Sequence, residues 1–147
     1  MQYDDLMQWE GYFFLHKIFE PHTNSLRVQL KRAKISAHST DVIIGDNILD
    51  HCQPIEIDES LPIIQIDFDS YVSYSVFDES FYGTEDNFKG NAIRIYEKSR
   101  YLNFVMQQTI ANVIYPDKEF IHYGVSCLDH IIEIVSYDVP IVSQVAN

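Results

Sequence analysis

Between residues 35 and 88 the chain contains no lysine and no arginine. Bases are scarce throughout: ten Lys and Arg stand against twenty-two Asp and Glu, a formal charge of −12. A chain so short of cations is not built to neutralise phosphates or to lie on an anionic membrane, so nucleic-acid and membrane partners are excluded as expectations. Glycine is also scarce, five residues in 147, about half the usual ~7%, which argues against a glycine-rich phosphate loop. Two cysteines, Cys52 and Cys127, are too few for a disulfide framework. The amino-terminal residues carry neither a positive region nor an apolar core of a signal peptide. No apolar run approaches the ~18 residues of a membrane span. The expected compartment is therefore a reducing one, a bacterial cytoplasm by default, and no cofactor is called for.

What is present is enough apolar sequence for one domain covering residues 1–147. Hydrophobic residues make up 46% of the chain, with ten Tyr and nine Phe. A chain of this length buries about 68–70% of its unfolded surface without a metal or disulfide. Residues 9–19 are aromatic and apolar on both faces, which predicts a central strand. After turn residues at 21–24, Leu26, Val28 and Leu30 alternate with Arg27, Gln29 and Lys31, so the two segments read as an opening hairpin. Residues 36–62 hold a short apolar trio, Val42, Ile43 and Ile44, with a Gly45-Asp46-Asn47 turn and two prolines. They read as short strands or edge pieces. Alternation returns over residues 63–77, too long for one strand, so a bend is expected near Asp69-Ser70. Residues 83–90 read as a polar loop, and Ile93 and Ile95 mark another strand.

One helix is expected. Ser99 is a suitable N-cap, Leu102, Val105, Met106, Ile110 and Val113 follow at helical spacing, and Pro116 ends it. Two more alternating segments, at 121–127 and 130–134, precede Pro140, which is read as closing the ordered part. The fold class is α+β, mostly β: an antiparallel sandwich or open barrel with one capping helix near residues 100–115.

The most informative pattern is the placement of charge. Asp41, Asp46, Asp50, Glu56, Asp58, Glu59, Asp67, Asp69, Asp78, Glu79, Glu85 and Asp86 all fall in the base-free stretch, and the rest of the chain is neutral. A field of that kind is a solvated acidic face, a docking face for a basic partner, or a cation-binding or catalytic cleft. Asp67 and Asp69, two residues apart on a strand, share one face at a spacing compatible with a carboxylate pair. Adjacent positions on one strand are more often solvent-facing, so no catalytic residue is assigned. Asp67, Asp69, Tyr71, Asp78 and Glu79 are the candidate partner-binding residues. Tyr71, Phe77, Phe81 and Tyr82 offer either core packing or a contact platform.

Metal chemistry is poorly supported. Residues 83–87 lack the alternating acids of a calcium loop. Adjacent His51 and Cys52 point apart on an extended strand and cannot readily join Cys127 and His130 around one zinc.

Three segments, VSYSVFDES at 72–80, EKSRYL at 97–102 and HYGVSCLDHII at 122–132, resemble together a family of small, uncharacterised bacterial β-rich proteins. Some of that family resemble immunity proteins encoded beside polymorphic toxins. The resemblance spans roughly residues 60–140. It implies a β-rich domain and a toxin-neutralising role, and it transfers no active-site residue. The leading expectation is a non-enzymatic interaction protein that meets a basic protein partner, such as a toxin domain, through an acidic face. A homo-oligomer is compatible with the sequence. The alternative is a small-ligand or carbohydrate-binding β-domain, hydrolytic in one version, that uses Asp67, Asp69 and nearby tyrosines. A convex acidic face favours the first and an aromatic-lined pocket the second.

Overall fold

The computed structural model describes residues 1–83 and 86–147. Two antiparallel sheets pack face to face, so the sandwich is realised and the barrel is not. Sheet 1 has the order β1 (Phe13–Phe19), β2 (Leu26–Ile35), β6 (Ile63–Phe68), β12 (Ile141–Val145), and β5 (Ile55–Ile57) pairs the end of β2. Sheet 2 has the order β7 (Ser73–Asp78), β11 (His130–Ser136), β10 (Ile121–Ser126), β9 (Ile93–Lys98), β8 (Asn87–Gly90). A third, two-stranded sheet joins β3 (Thr40–Ile44) to β4 (Asn47–Cys52).

The core is what the alternation demands. Leu26, Val28, Leu30, Ile64, Ile66 and Phe68 from sheet 1 meet Ile93, Tyr123, Val125, Ile132 and Ile134 from sheet 2. Phe68 and Tyr123 touch edge to face with ring centres 5.2 Å apart. The bend near Asp69 is real, and it carries the chain from β6 in one sheet to β7 in the other.

Four expectations need correction. The aromatic stretch at 9–19 forms a strand only from Phe13, and β1 is an edge strand, not a central one. A bulge between Leu15 and Lys17 reverses the alternation there. Leu15 before the bulge and Ile18 after it therefore both pack on the core, and the sequence looks apolar on both faces. Residues 83–90 are not wholly a loop, because Asn87–Gly90 forms β8 and Phe88 packs edge-on against Tyr96. Pro140 opens a strand instead of closing the fold: β12 follows it and pairs with β6, in keeping with proline at a strand start. A short helix, α1 (Tyr3–Met7), was not expected; it is too brief to show periodicity, yet it buries Tyr3, Leu6 and Met7.

The capping helix is shorter than expected. α2 (Arg100–Gln108) begins at Ser99, whose Oγ accepts from the Leu102 N–H at 2.8 Å. It stops at Thr109, which turns to extended backbone and donates its hydroxyl to the Val105 carbonyl at 2.9 Å. A separate single turn, α3 (Ala111–Ile114), follows. Val105 is buried and Leu102 and Met106 are half-buried, but Ile110 and Val113 are 65% and 71% exposed. The apolar stripe thus divides between the sheet and solvent. In urea unfolding, Val105→Ala is expected to cost about 2 kcal/mol. Ile110→Ala should stay within ~0.5 kcal/mol, and equal losses would restore the continuous capping helix.

Candidate functional site

The strand registers sort the candidate residues into two ends of the sandwich. Phe13 at the start of β1 pairs with Arg32 near the end of β2. The β10–β11 turn joins this end through the Leu128 N–H, which donates to the Phe13 carbonyl at 2.9 Å. Asp78, at the end of β7, pairs with His130 beside that turn, and the Glu79 N–H donates to the Asp129 carbonyl. The β3–β4 hairpin leaves from the same end, since it follows β2 and returns through β5. Asp69 and Tyr71 lie at the opposite end, where the Tyr71 hydroxyl donates to Glu20 and Ser136 binds the Ser70 carbonyl. Asp78 and Glu79 therefore lie at the end from which the hairpin leaves, while Asp69 and Tyr71 lie at the other.

Asp67 is already occupied. On the outer face of sheet 1 its two carboxylate oxygens take Arg27 Nε at 2.6 Å and Nη2 at 3.2 Å, and Gln65 donates to it at 2.8 Å. Asp67 thus serves a cross-strand ion pair, and neither it nor Asp69 lines the clefts described below. Other acids of the base-free stretch are paired too: Glu59 with Lys31, Glu56 and Asp58 with Lys34, and Asp86 with Arg100. Asp41, Asp46, Asp50, Asp69, Asp78 and Glu79 make no ion pair among the described residues. All of these except Asp69 belong to the hairpin end.

The hairpin itself is unusual. Every residue of β3 and all of β4 except Cys52 are exposed, and the two strands pack chiefly against one another. Val42 faces Leu49 and Ile43 faces Ile48 across the ladder, and Ile43 is 72% exposed. Gly45, with φ +60°, makes the two-residue turn that only glycine enters freely. An isolated two-stranded ribbon is marginal in water at best. Asp41, Asp46 and Asp50 border this apolar ribbon.

The same end of the sandwich holds a cleft of about 570 Å³, lined by Glu10, Tyr12, Glu79, Asn91 and Arg94 among others and by no residue of the hairpin. Arg94 is held by the Asn91 carbonyl at 3.1 Å and lies 4.2 Å over the Phe88 ring.

Sequence reasoning missed a second polar constellation, on the outer face of sheet 2 beneath α2. His122 is fully buried there, with Ser99 Oγ 2.6 Å from Nδ1 and the Tyr96 ring stacked at 4.0 Å. We assign the ring hydrogen to Nε2, which faces Glu133 Oε2 at 3.8 Å, too long for a hydrogen bond, and has no other partner among the described residues. Tyr82 donates to Glu133 and lies 3.1 Å from the Tyr96 hydroxyl. Tyr101 on α2 bonds Ser73 and Ser75 of β7 at 3.0 and 2.9 Å. Gly124 makes this packing feasible, because a Cβ there would sit 2.7 Å from the Tyr96 ring. Burial depresses His122 to about 4 and pushes the Glu133 carboxyl up.

Serine, histidine and glutamate in this order suggest nucleophilic catalysis, but the geometry serves structure. The Ser99 hydroxyl is only 5% exposed and is committed to the helix cap and to His122. A neighbouring cleft of about 390 Å³ is lined by Phe77, Phe81, Tyr82, Asp86, Arg100 and Glu133, and it does not include Ser99 or His122. The one available signal was Glu133 itself, a lone acid inside the apolar run at 131–135.

Comparison with protein families, curated proteins and solved structures finds no match to this chain. The site is therefore read from its own chemistry. Cys52 lies on the hairpin and Cys127 in the core. His51 takes a left-handed φ of +57°, so the chain is not extended there as the zinc argument assumed. Among the described residues no group of three or more His, Cys, Asp and Glu is placed to hold a metal. The turn weighed for calcium includes Thr84 and Glu85, which lie outside the described residues.

The buried pair has a measurable consequence. His122 is neutral in the fold down to about 4 but protonates near 6.5 when unfolded, so its contribution to stability rises with pH between those values. Glu133 works in the opposite sense, since its raised folded pKa gives stability at low pH that is lost as pH rises above its ordinary 4.5. Chemical denaturation across pH 4–8 should show Glu133→Gln gaining on the wild type as pH rises, by up to about 1.4 kcal/mol per pH unit. Parallel profiles would mean that Glu133 ionises as if exposed.

Proposed function

We propose that the protein is a non-enzymatic interaction protein that takes a basic protein partner on the acidic end carrying the β3–β4 hairpin. The observation that carries this reading is the hairpin itself: an exposed ribbon of Val42, Ile43, Ile44, Ile48 and Leu49, bordered by three aspartates and free of any base. Exposed apolar ribbons of this kind mark protein contact surfaces, and Asp41, Asp46, Asp50, Asp78 and Glu79 give the surrounding field one sign. The partner it fits offers an apolar groove with a cationic rim.

A toxin-neutralising role is the specific form of this reading. Nuclease-type toxin domains present cationic substrate clefts, and an acidic arm with an apolar spine is suited to fill one. The ligand-pocket alternative gains no support from Asp67, whose carboxylate is held by Arg27 and Gln65.

For a basic protein retained by the wild-type chain, the association rate should fall steeply with salt. Ile43→Ser with Ile48→Ser should weaken binding by about 1–3 kcal/mol while the sandwich keeps its melting temperature. Asp41→Asn with Asp50→Asn should mainly slow association, and Asp69→Asn should change little. Binding that ignores ionic strength, or survives the loss of both isoleucines, would reject the arm as the docking element.

A further inference from the structure

Among the described residues four strands, β1, β12, β7 and β8, end the two main strand paths, and three of them are protected against pairing. β1 carries Lys17 and the bulge at its centre. β8 carries Lys89, a bulge at Asn87–Phe88 and Gly90 at φ +96°. β7 ends in Asp78 and runs into a single 3-10 turn, and Tyr101 bonds its Ser73 and Ser75 side chains. β12 differs. Its five residues, Ile141 to Val145, hold no charge, its pairing with β6 has no irregularity, and the only proline precedes it. Asn147 donates to the Glu59 and Leu61 carbonyls at 2.9 and 2.7 Å, which keeps the end of the strand along sheet 1. An uncharged, regular edge is a template for another strand, and folded proteins normally block such edges.

We propose that β12 pairs antiparallel with β12 of a second copy of this chain, about a two-fold axis at Ser143, to join the two copies of sheet 1. The strand is nearly self-complementary about that residue: Ile141 of one copy faces Val145 of the other on the outer face. Isologous contacts of this kind require such symmetry. The antiparallel sense also manages charge. Asp69 and Asp138 lie near the Ile141 end of the edge, and each pair is set against the Val145 end of the copy, where Glu59 is already paired with Lys31, not against its own counterpart. Five residues of ladder are too small an interface alone. Beside the strand lies further apolar surface: Val139 is 75% exposed, and α3, joined to this region by the Tyr115–Tyr137 contact at 4.9 Å, presents Val113 and Ile114, with Ile110 exposed just before it. A second copy covers both. The hairpin end is left free, so dimerisation and partner docking do not compete.

The two associations also respond oppositely to salt. Binding of a basic partner weakens as salt rises, whereas two copies of charge −12 repel less and dimerise better. Sedimentation equilibrium on the full chain should show a monomer–dimer equilibrium that salt shifts toward dimer. Ile141→Lys should weaken it by about tenfold or more, equivalent to about 1.4 kcal/mol, with the far-ultraviolet spectrum unchanged; Ser143→Lys serves if that variant does not fold. Ser143→Cys in a Cys52→Ser background should form a disulfide dimer on mild oxidation, since facing residues in a ladder lie within disulfide reach. A monomer at every concentration overturns the proposal. So does a dimer that persists in both lysine variants, or one that is undone by Ile43→Ser with Ile48→Ser, which would place the contact on the hairpin.

Discussion

Removing a carboxylate from water without a partner costs several kcal/mol, and in a chain with twelve acids and no base over 54 residues that cost governs where each one goes. Five of them reach a cation on or beside the sheets: Asp67 takes Arg27, Glu59 takes Lys31, Glu56 and Asp58 share Lys34, and Asp86 takes Arg100. Four of the ten bases are committed in this way. Of the other described acids of this stretch, Asp41, Asp46 and Asp50 lie on the hairpin, Asp78 and Glu79 at the end of β7 and Asp69 at the opposite end, all exposed to water. The proposed function rests on that sorting: the leftover charge, Asp69 apart, lies at one end, which also carries an apolar ribbon the sandwich does not cover.

Glu133 is the exception that shows how exacting the constraint is. It faces outward from β11, a strand buried over six of its seven residues, and the fold builds a lid over it from α2, Tyr82 and Tyr96. The same lid buries His122, kept neutral by desolvation and joined to the helix cap through Ser99. Sheet 2 is therefore covered on both faces, while sheet 1 exposes the Gln29–Gln65–Asp67–Arg27 ladder to partial solvent.

Most of the β architecture was legible because alternation reports burial directly: Leu26–Val28–Leu30, Ile64–Ile66–Phe68 and Tyr123–Val125 all lie in the core. It failed where a local device breaks the period. The bulge in β1 made an edge strand read as central, and β8 lacks alternation because only Phe88 has a packing partner of its own. Ile110 and Val113 continue the helical spacing past Thr109, yet a side-chain bond to Val105 ends the helix before them. At the candidate site, the acidic character of residues 35–88 was plain, but the grouping of its members was not. Asp67 and Asp78 are separated by a crossing between sheets, and whether Asp67 has a cation beside it depends on the β2–β6 register. The Ser99–His122–Glu133 cluster joins residues from three elements and leaves almost no local trace.

Hydrogen–deuterium exchange resolved by segment tests the central claim most directly, with a synthetic peptide of alternating lysine and leucine as the probe. In the free protein, residues 40–52 should exchange fast while β11 stays protected. The account predicts that the peptide slows exchange in residues 40–52 and 78–81 and that added salt abolishes the effect. Slowing centred on residues 67–71, or a hairpin left untouched by the peptide, would contradict it.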